Sequence, residues 1–369
     1  MLNPYCEKLA KLAIKYSINV EKGKRIVILG PVLAKELFLA LQIEILKAGG
    51  HPFLIPQLEG EDELFFKYAT DDQLGYFDDI YISIAKEFDG LVQIFADYNT
   101  KKLTLIDPKK IGRNQGAAKR YEMLKIFNDR EAKGEIKWVI IPYPCQSYAQ
   151  EANMDLYSYS IFVEKALFLD KEDAIKEWKS LDKKQENIVT YLNNVKNVQV
   201  LGEDTDLTLS VDGRIWENCN GQNNLPDGEV FTGPIEDSVN GHIRFTYPGI
   251  YLGQEIHNIS LEFKDGKVIK GTADKGQELL QEILKMKNAD KLGEFAIGTN
   301  YGITQFTKNM LFDEKMGGTI HCALGRGIPK TGSKNFSVIH WDILKDMKVP
   351  GSKIIADGKL IYEEGNWKI

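Results

Sequence analysis

A chain of 369 residues is longer than one hydrophobic core usually serves, so two domains are expected. Hydrophobic residues at 43% and charged residues at 27%, with no biased tract, exclude extended disorder. A net charge of -6 with no visible basic cluster speaks against a nucleic-acid partner.

No apolar run approaches the length that crosses a bilayer, and the start MLNPYCEKLAKLAIKYS carries charges where an export signal needs an apolar centre. Cys6, Cys145, Cys219 and Cys322 lie far apart with no C-x-x-C pair, which points away from a disulfide framework or a zinc knuckle. The expectation is a cytoplasmic protein with reduced thiols and no membrane partner.

Along residues 3–17, Leu9, Leu12, Ala13 and Tyr16 recur at helical spacing, and Gly23 closes the element. RIVIL then reads as a short buried strand, a helix is expected over about 33–48, and HPFLIP reads as the next strand. This rhythm continues through YISIAKEFDGLVQIFADYNT and KWVIIPYP and predicts a Rossmann-like parallel sheet in an N-terminal α/β domain, residues 1–190. The turn after the first strand lacks G-x-G-x-x-G, so no dinucleotide site is expected. After Pro144 the chain reads as mostly helical up to about residue 195 and links the halves.

From about Val198 the texture changes to short alternating strands. Asp212-Gly213, Asp265-Gly266 and Asp357-Gly358 read as hairpin turns, and one helix is expected near 277–286. Residues 191–369 are thus expected to form a β-rich α+β domain. Within it, residues 337–344 read as a buried strand, and a side-chain period of two puts His340 and Asp342 on one face. An imidazole and a carboxylate on a mostly apolar strand need either hydrogen-bond partners in a core or a cation. Glu294, a lone charge in KLGEFAIGTN, and Glu229, held between Gly and Pro in NNLPDGEVFTGP, are weaker signals of the same kind.

Three long blocks carry a family resemblance: TDLTLSVDGRIWENCNGQNNLPDGEVFTGP (205–234), LGEFAIGTNYGIT (292–304) and LFDEKMGGTIHCALGRGIPKTGSKNFSVIHWD (311–342). With weaker similarity reaching AQEANM near residue 150, the chain resembles the thermophilic-type metallo-aminopeptidases, the family of aminopeptidases T, S and II. The resemblance implies two divalent metal ions held by Glu229, Glu294, His321, His340 and Asp342, and a homodimer. It also implies a peptide substrate with a free N-terminus, cut through a hydroxide bridging the two ions. Three carboxylates and two imidazoles suit Zn²⁺, Co²⁺ or Mn²⁺, and two ions can acidify a water and polarise a carbonyl.

One position departs from the family pattern. Seven residues after His321 the family carries an active-site tyrosine, and here Ile328 stands in its place. Isoleucine cannot donate to an oxyanion. Tyr301, Arg326 and Lys334 are alternative donors, and a non-catalytic metal-binding or peptide-binding relative is the competing reading. His51, His242 and His257 read as ordinary surface or core residues, and Cys322, next to His321 on a strand, as a small core residue facing the other way.

Overall fold

The structure, a computed structural model, describes residues 3–369 and divides the chain into two compact units. The first runs to Ile175 and includes Gly221–Leu225; the second holds Lys176–Asn220 and Pro226–Ile369.

In the first unit four strands, β1 (Arg25–Pro31), β2 (His51–Gln57), β3 (Gly90–Phe95) and β4 (Lys137–Pro142), form a parallel sheet in the order β2-β1-β3-β4. Parallel neighbours need crossovers, and the chain supplies them as helices, among them Lys35–Lys47 between β1 and β2 and Asp79–Glu87 before β3. The first helix, Pro4–Leu12, starts on an Asn3 cap with proline at its first turn and buries Leu9, Ala10 and Leu12, then widens into a π-turn at Ala13–Ser17. The helical segment after Pro144 is three helices, Gln146–Glu151, Leu156–Ala166 and Ala174–Leu192, and the last belongs to the second unit.

The second unit is built on two antiparallel sheets. In chain order its strands are β5 (Asn197–Gly202), β6 (Thr205–Ser210), β7 (Glu217–Cys219), β8 (Glu229–Thr232) and β9 (Asn240–Arg244). A small hairpin, β10 (Gly249–Tyr251) and β11 (Gln254–Ile256), precedes β12 (Ser260–Lys264), β13 (Lys267–Thr272), β14 (Leu292–Gly298) and β15 (Thr319–Gly325). The chain ends with β16 (His340–Asp346), β17 (Lys353–Ala356), β18 (Lys359–Glu363) and β19 (Asn366–Trp367). Eight strands pair as β13-β12-β9-β6-β5-β17-β18-β19 and five as β16-β15-β14-β8-β7.

One apolar core joins these two sheets. Val198, Val200, Leu207, Ile243, Phe263 and Ile354 come from the larger sheet; Val230, Phe295, Ile297, Ile320, Cys322, Trp341 and Ile343 come from the smaller. The helix Gln277–Lys285 adds Leu280 and Ile283. Alternate residues of β14, β15 and β16 therefore face the core. Their intervening neighbours face the other way.

Two local expectations need correction. Asp265-Gly266 and Asp357-Gly358 are hairpin turns with both residues at positive φ, but Asp212-Gly213 carries the chain from β6 of one sheet to β7 of the other and joins no strand pair. The strand expected at 337–344 is His340–Asp346, because Phe336 and Val338 are exposed and the chain pairs with β15 only from His340 on. No helix among the described residues is long and apolar enough to cross a membrane.

Candidate metal centre

Strand register assembles the site. Glu294 of β14 pairs with Ala323 of β15, which pairs with Asp342 of β16. His321 pairs with Ala296, His340 with Gly325, and Glu229 of β8 with Gly298. Since side chains alternate, all five residues lie on the face turned away from the core. Small partners, Ala296, Gly298, Ala323 and Gly325, surround them on that face and leave room among the five.

A bulge at Gly293 sets the direction of Glu294. The β14–β15 register slips by one between Leu292 and Glu294, so Leu292 reaches the core while Glu294, two residues on, points to the opposite face. Only glycine fits there: a Cβ on residue 293 would lie 2.4 Å from the Arg326 carbonyl oxygen. That same carbonyl accepts a 2.7 Å hydrogen bond from His340 Nδ1. The bulge and the imidazole are therefore fixed by one backbone group. With Nδ1 donating, Nε2 of neutral His340 keeps its lone pair free for a ligand.

Glu294 stands between the two histidines. Its Oε1 lies 3.2 Å from His321 Nε2 and its Oε2 lies 3.5 Å from His340 Nε2. Glu229 Oε2 is 3.4 Å from His321 Nε2, and Asp342 Oδ1 is 3.4 Å from His340 Nε2. Two groups result, Glu229–Glu294–His321 and Glu294–His340–Asp342, each with ligand atoms within 4.8 Å of one another. Glu294 belongs to both.

The centre is buried and incompletely satisfied. Glu229 Oε2, Asp342 Oδ1 and His321 Nδ1 have no solvent exposure and no hydrogen-bond partner of normal geometry. Burial by itself would pull both imidazoles down. For His321 the Glu294 hydrogen bond and the Glu229 and Asp342 charges reverse this and push it to about 9; for His340 the Asp342 and Glu294 charges push it to about 10. Burial raises Glu294, whereas the His340 charge and hydrogen bond overcome burial at Asp342 and hold it at about 2. In the absence of metal, protons supply the positive charge that these carboxylates need. The five residues thus fit one or two divalent ions.

Three more residues complete the centre, and the sequence reading missed them. Lys315, only 2% exposed, donates to Glu229 Oε1 at 2.8 Å and also to Glu314 Oε1. Glu314, 21% exposed at its side chain, lies with His321 and Asp342 in a further close group, and burial pushes it up to about 8. Gln185, on the helix Ala174–Leu192, donates from Nε2 to the Glu229 and Cys219 carbonyls, both at 2.9 Å, and so fixes the β7–β8 backbone. The available signal was Asp313-Glu314-Lys315, three successive charges inside the apolar run LFDEKMGGTIH.

The alternative oxyanion donors differ in their surroundings. Tyr301 donates its hydroxyl to the Gly365 carbonyl at 2.6 Å, and Arg326 and Lys334 are exposed. Ile328 is half-buried, and its carbonyl opens the turn Pro329–Thr331 by accepting from Thr331. Cys322 lies in the apolar core, facing away from His321, and burial raises its thiol.

The profile of the thermophilic metalloprotease (M29) family matches residues 3–367. The chain belongs to that family. Among curated relatives it is 28% identical to aminopeptidase 2 of Geobacillus stearothermophilus, over 98% of this chain and 97% of that one. It is also 28% identical to aminopeptidase T of Thermus thermophilus, over 97% and 95%. A solved structure of wild-type AmpT from Thermus thermophilus superposes with a TM-score of 0.84 over 99% of both chains at 23% identity, so the fold is shared. As a family member the chain is a metalloprotease, a hydrolase of peptide bonds that works with divalent metal.

Proposed function

We propose that this chain is an aminopeptidase that removes residues from the free amino end of cytoplasmic peptides, with two divalent ions held by Glu229, Glu294, His321, His340 and Asp342. The observation that carries the reading is Glu294, whose two oxygens face two different imidazoles. Placed this way, Glu294 would join Glu229 and His321 in holding one ion and His340 and Asp342 in holding the other. The oxygen and imidazole donors suit Zn²⁺, Co²⁺ or Mn²⁺. The choice of the amino end follows the aminopeptidase names of the relatives. A homodimer, implied by the family resemblance, belongs to the same proposal and is tested by light scattering.

A divalent pair bound there supplies a water acidified to near neutrality and a polarised substrate carbonyl. The protein's own residues do the rest. His340 is held in its ligating tautomer by the Arg326 carbonyl. Glu314 stands beside the cluster with partial access to solvent; its carboxylate form, which bound cations would favour, could take a proton from water and return it to the leaving amine. Ile328 supports a second reading, a metal-binding relative without turnover, because no donor occupies the family tyrosine's place.

One experiment separates the two: hydrolysis of a short unblocked peptide and of its N-acetylated twin, after chelation and after restoring Zn²⁺, Co²⁺ or Mn²⁺. Metal-dependent cutting of the free-amine peptide alone supports the aminopeptidase. Cutting that survives chelation, or that treats both peptides alike, removes it. Metal binding with neither peptide cut favours the second reading.

A further inference from the structure

Cys219, Asp227 and Glu229 also have ligand atoms within 4.8 Å of one another, a spacing that would suit a third ion. Cys219 pairs with Glu229 across β7 and β8, and Asp227 stands two residues before Glu229, at the entry to β8. The space beside this trio already contains a cation. Lys315 Nζ lies 2.8 Å from Glu229 Oε1 and bonds to Glu314, and its positive charge is felt at Cys219 and Asp227.

Resting on the two-ion reading above, we propose that Lys315 is a positioning residue, a built-in cation that fixes Glu229 so that Oε2 alone is offered to the ion beside His321.

The backbone around Lys315 is pinned to the Glu229 segment. The Asn300 amide donates to the Lys315 carbonyl at 3.0 Å, and Asn300 Nδ2 donates to the Asp227 carbonyl at 2.9 Å. Gly228, between Asp227 and Glu229, takes φ +118, and a Cβ there would meet Asn300 Cβ at 2.7 Å. Lys315 and Glu229 are thus held by neighbouring backbone and not only by mutual attraction. A carboxylate with both oxygens free could turn, or could take a cation with both. With Oε1 engaged by an ammonium, Glu229 has one oxygen left, and Oε2 is the atom that lacks a partner. The lysine also excludes an extra metal from the Cys219 side, and it joins Glu229 to Glu314 through a single group.

The test is calorimetric and spectroscopic titration of the chelated full-length protein with Co²⁺, following the visible d–d bands. The wild type is expected to take two equivalents. K315M is expected to bind the ion of Glu294, His340 and Asp342 as before and to weaken the other by at least about tenfold, the usual cost of losing a ligand's orienting partner, with an altered spectrum for that ion. K315Q, which keeps a donor without the charge, serves if K315M does not fold and is expected to lie between the two. E314Q keeps the Lys315–Glu229 contact and is expected to leave both affinities unchanged while lowering turnover. Two wild-type affinities in a folded K315M or K315Q would overturn the role of Lys315 and leave the two-ion reading intact. A single equivalent in the wild type would overturn both.

Discussion

Two acidic regions of this molecule use the same side chains to opposite ends. Beyond β3 of the parallel sheet, Asp97 and Asp62 share Lys102 at 3.1 and 3.0 Å, with side-chain exposures of 21, 50 and 29%. Solvent reaches all three, so the charges are screened and contribute little. On the five-stranded sheet, Glu229, Glu294 and Asp342 are nearly inaccessible, and the one lysine nearby neutralises Glu229 on one side only. What separates the regions is access to water. A solvated carboxylate cluster is satisfied as it stands, and a buried one must recruit protons or metal.

Several substitutions would break or sharpen this contrast. Largest is Glu294→Ala, which removes the carboxylate common to both groups; elemental analysis should find neither ion retained, and peptide hydrolysis should disappear. Retention of both ions would count decisively against the shared carboxylate. Glu314→Gln should keep both ions and lower kcat by about 10²- to 10⁴-fold, the range for losing a general acid–base group. If the role of Ile328 is as argued, Ile328→Tyr should raise kcat, by about 10²-fold at most; an unchanged rate in a folded variant means that another donor serves the oxyanion.

Metal should also compete with protons. With His321 at about 9 and His340 at about 10, above the ordinary imidazole value, the protonated rings stabilise the metal-free fold fully below about pH 6.5. That contribution is lost as pH rises through 9 to 10. Each ion bound near neutrality must displace protons, so affinity should climb about tenfold per pH unit for each proton released. Calorimetry in two buffers of different ionisation enthalpy measures that release; no buffer dependence would mean that the rings are already neutral. Smallest is Asp97→Asn in the solvated cluster, which should change stability by no more than about 1 kcal/mol and leave metal content and hydrolysis untouched.

Much of this was legible in the residues. The period of two in β16 put His340 and Asp342 on one face, and a charge inside an apolar strand marked Glu294. The alternation of strand and helix announced the parallel sheet, and the family blocks supplied His321 and Glu229. Other features depend on contacts between segments far apart in the chain. Lys315 reads as an ordinary solvated lysine until β8 is known to lie beside it, and Gln185 reads as one polar position on a charged helix. Asp212-Gly213 has the sequence of a hairpin, yet the strands on its two sides belong to different sheets, a distinction that no local pattern carries.

Gly293 has a consequence for how such a site can be gained or lost. Along β14 the assignment of side chains to core or cluster is an odd–even count, and one extra residue inverts it for Glu294 relative to Leu292. Deleting that single glycine would restore unbroken alternation and could preserve the pairing of the strand. It would also leave Glu294 on the cluster side with Leu292 still in the core, because neighbours on a regular strand face opposite ways, and would remove only the kink that packs against the Arg326 carbonyl. Side-chain direction on this sheet is therefore a matter of count: the extra residue lets Leu292 and Glu294, two apart in sequence, face opposite sides, and regular pairing with no residue removed would put one of them on the wrong face.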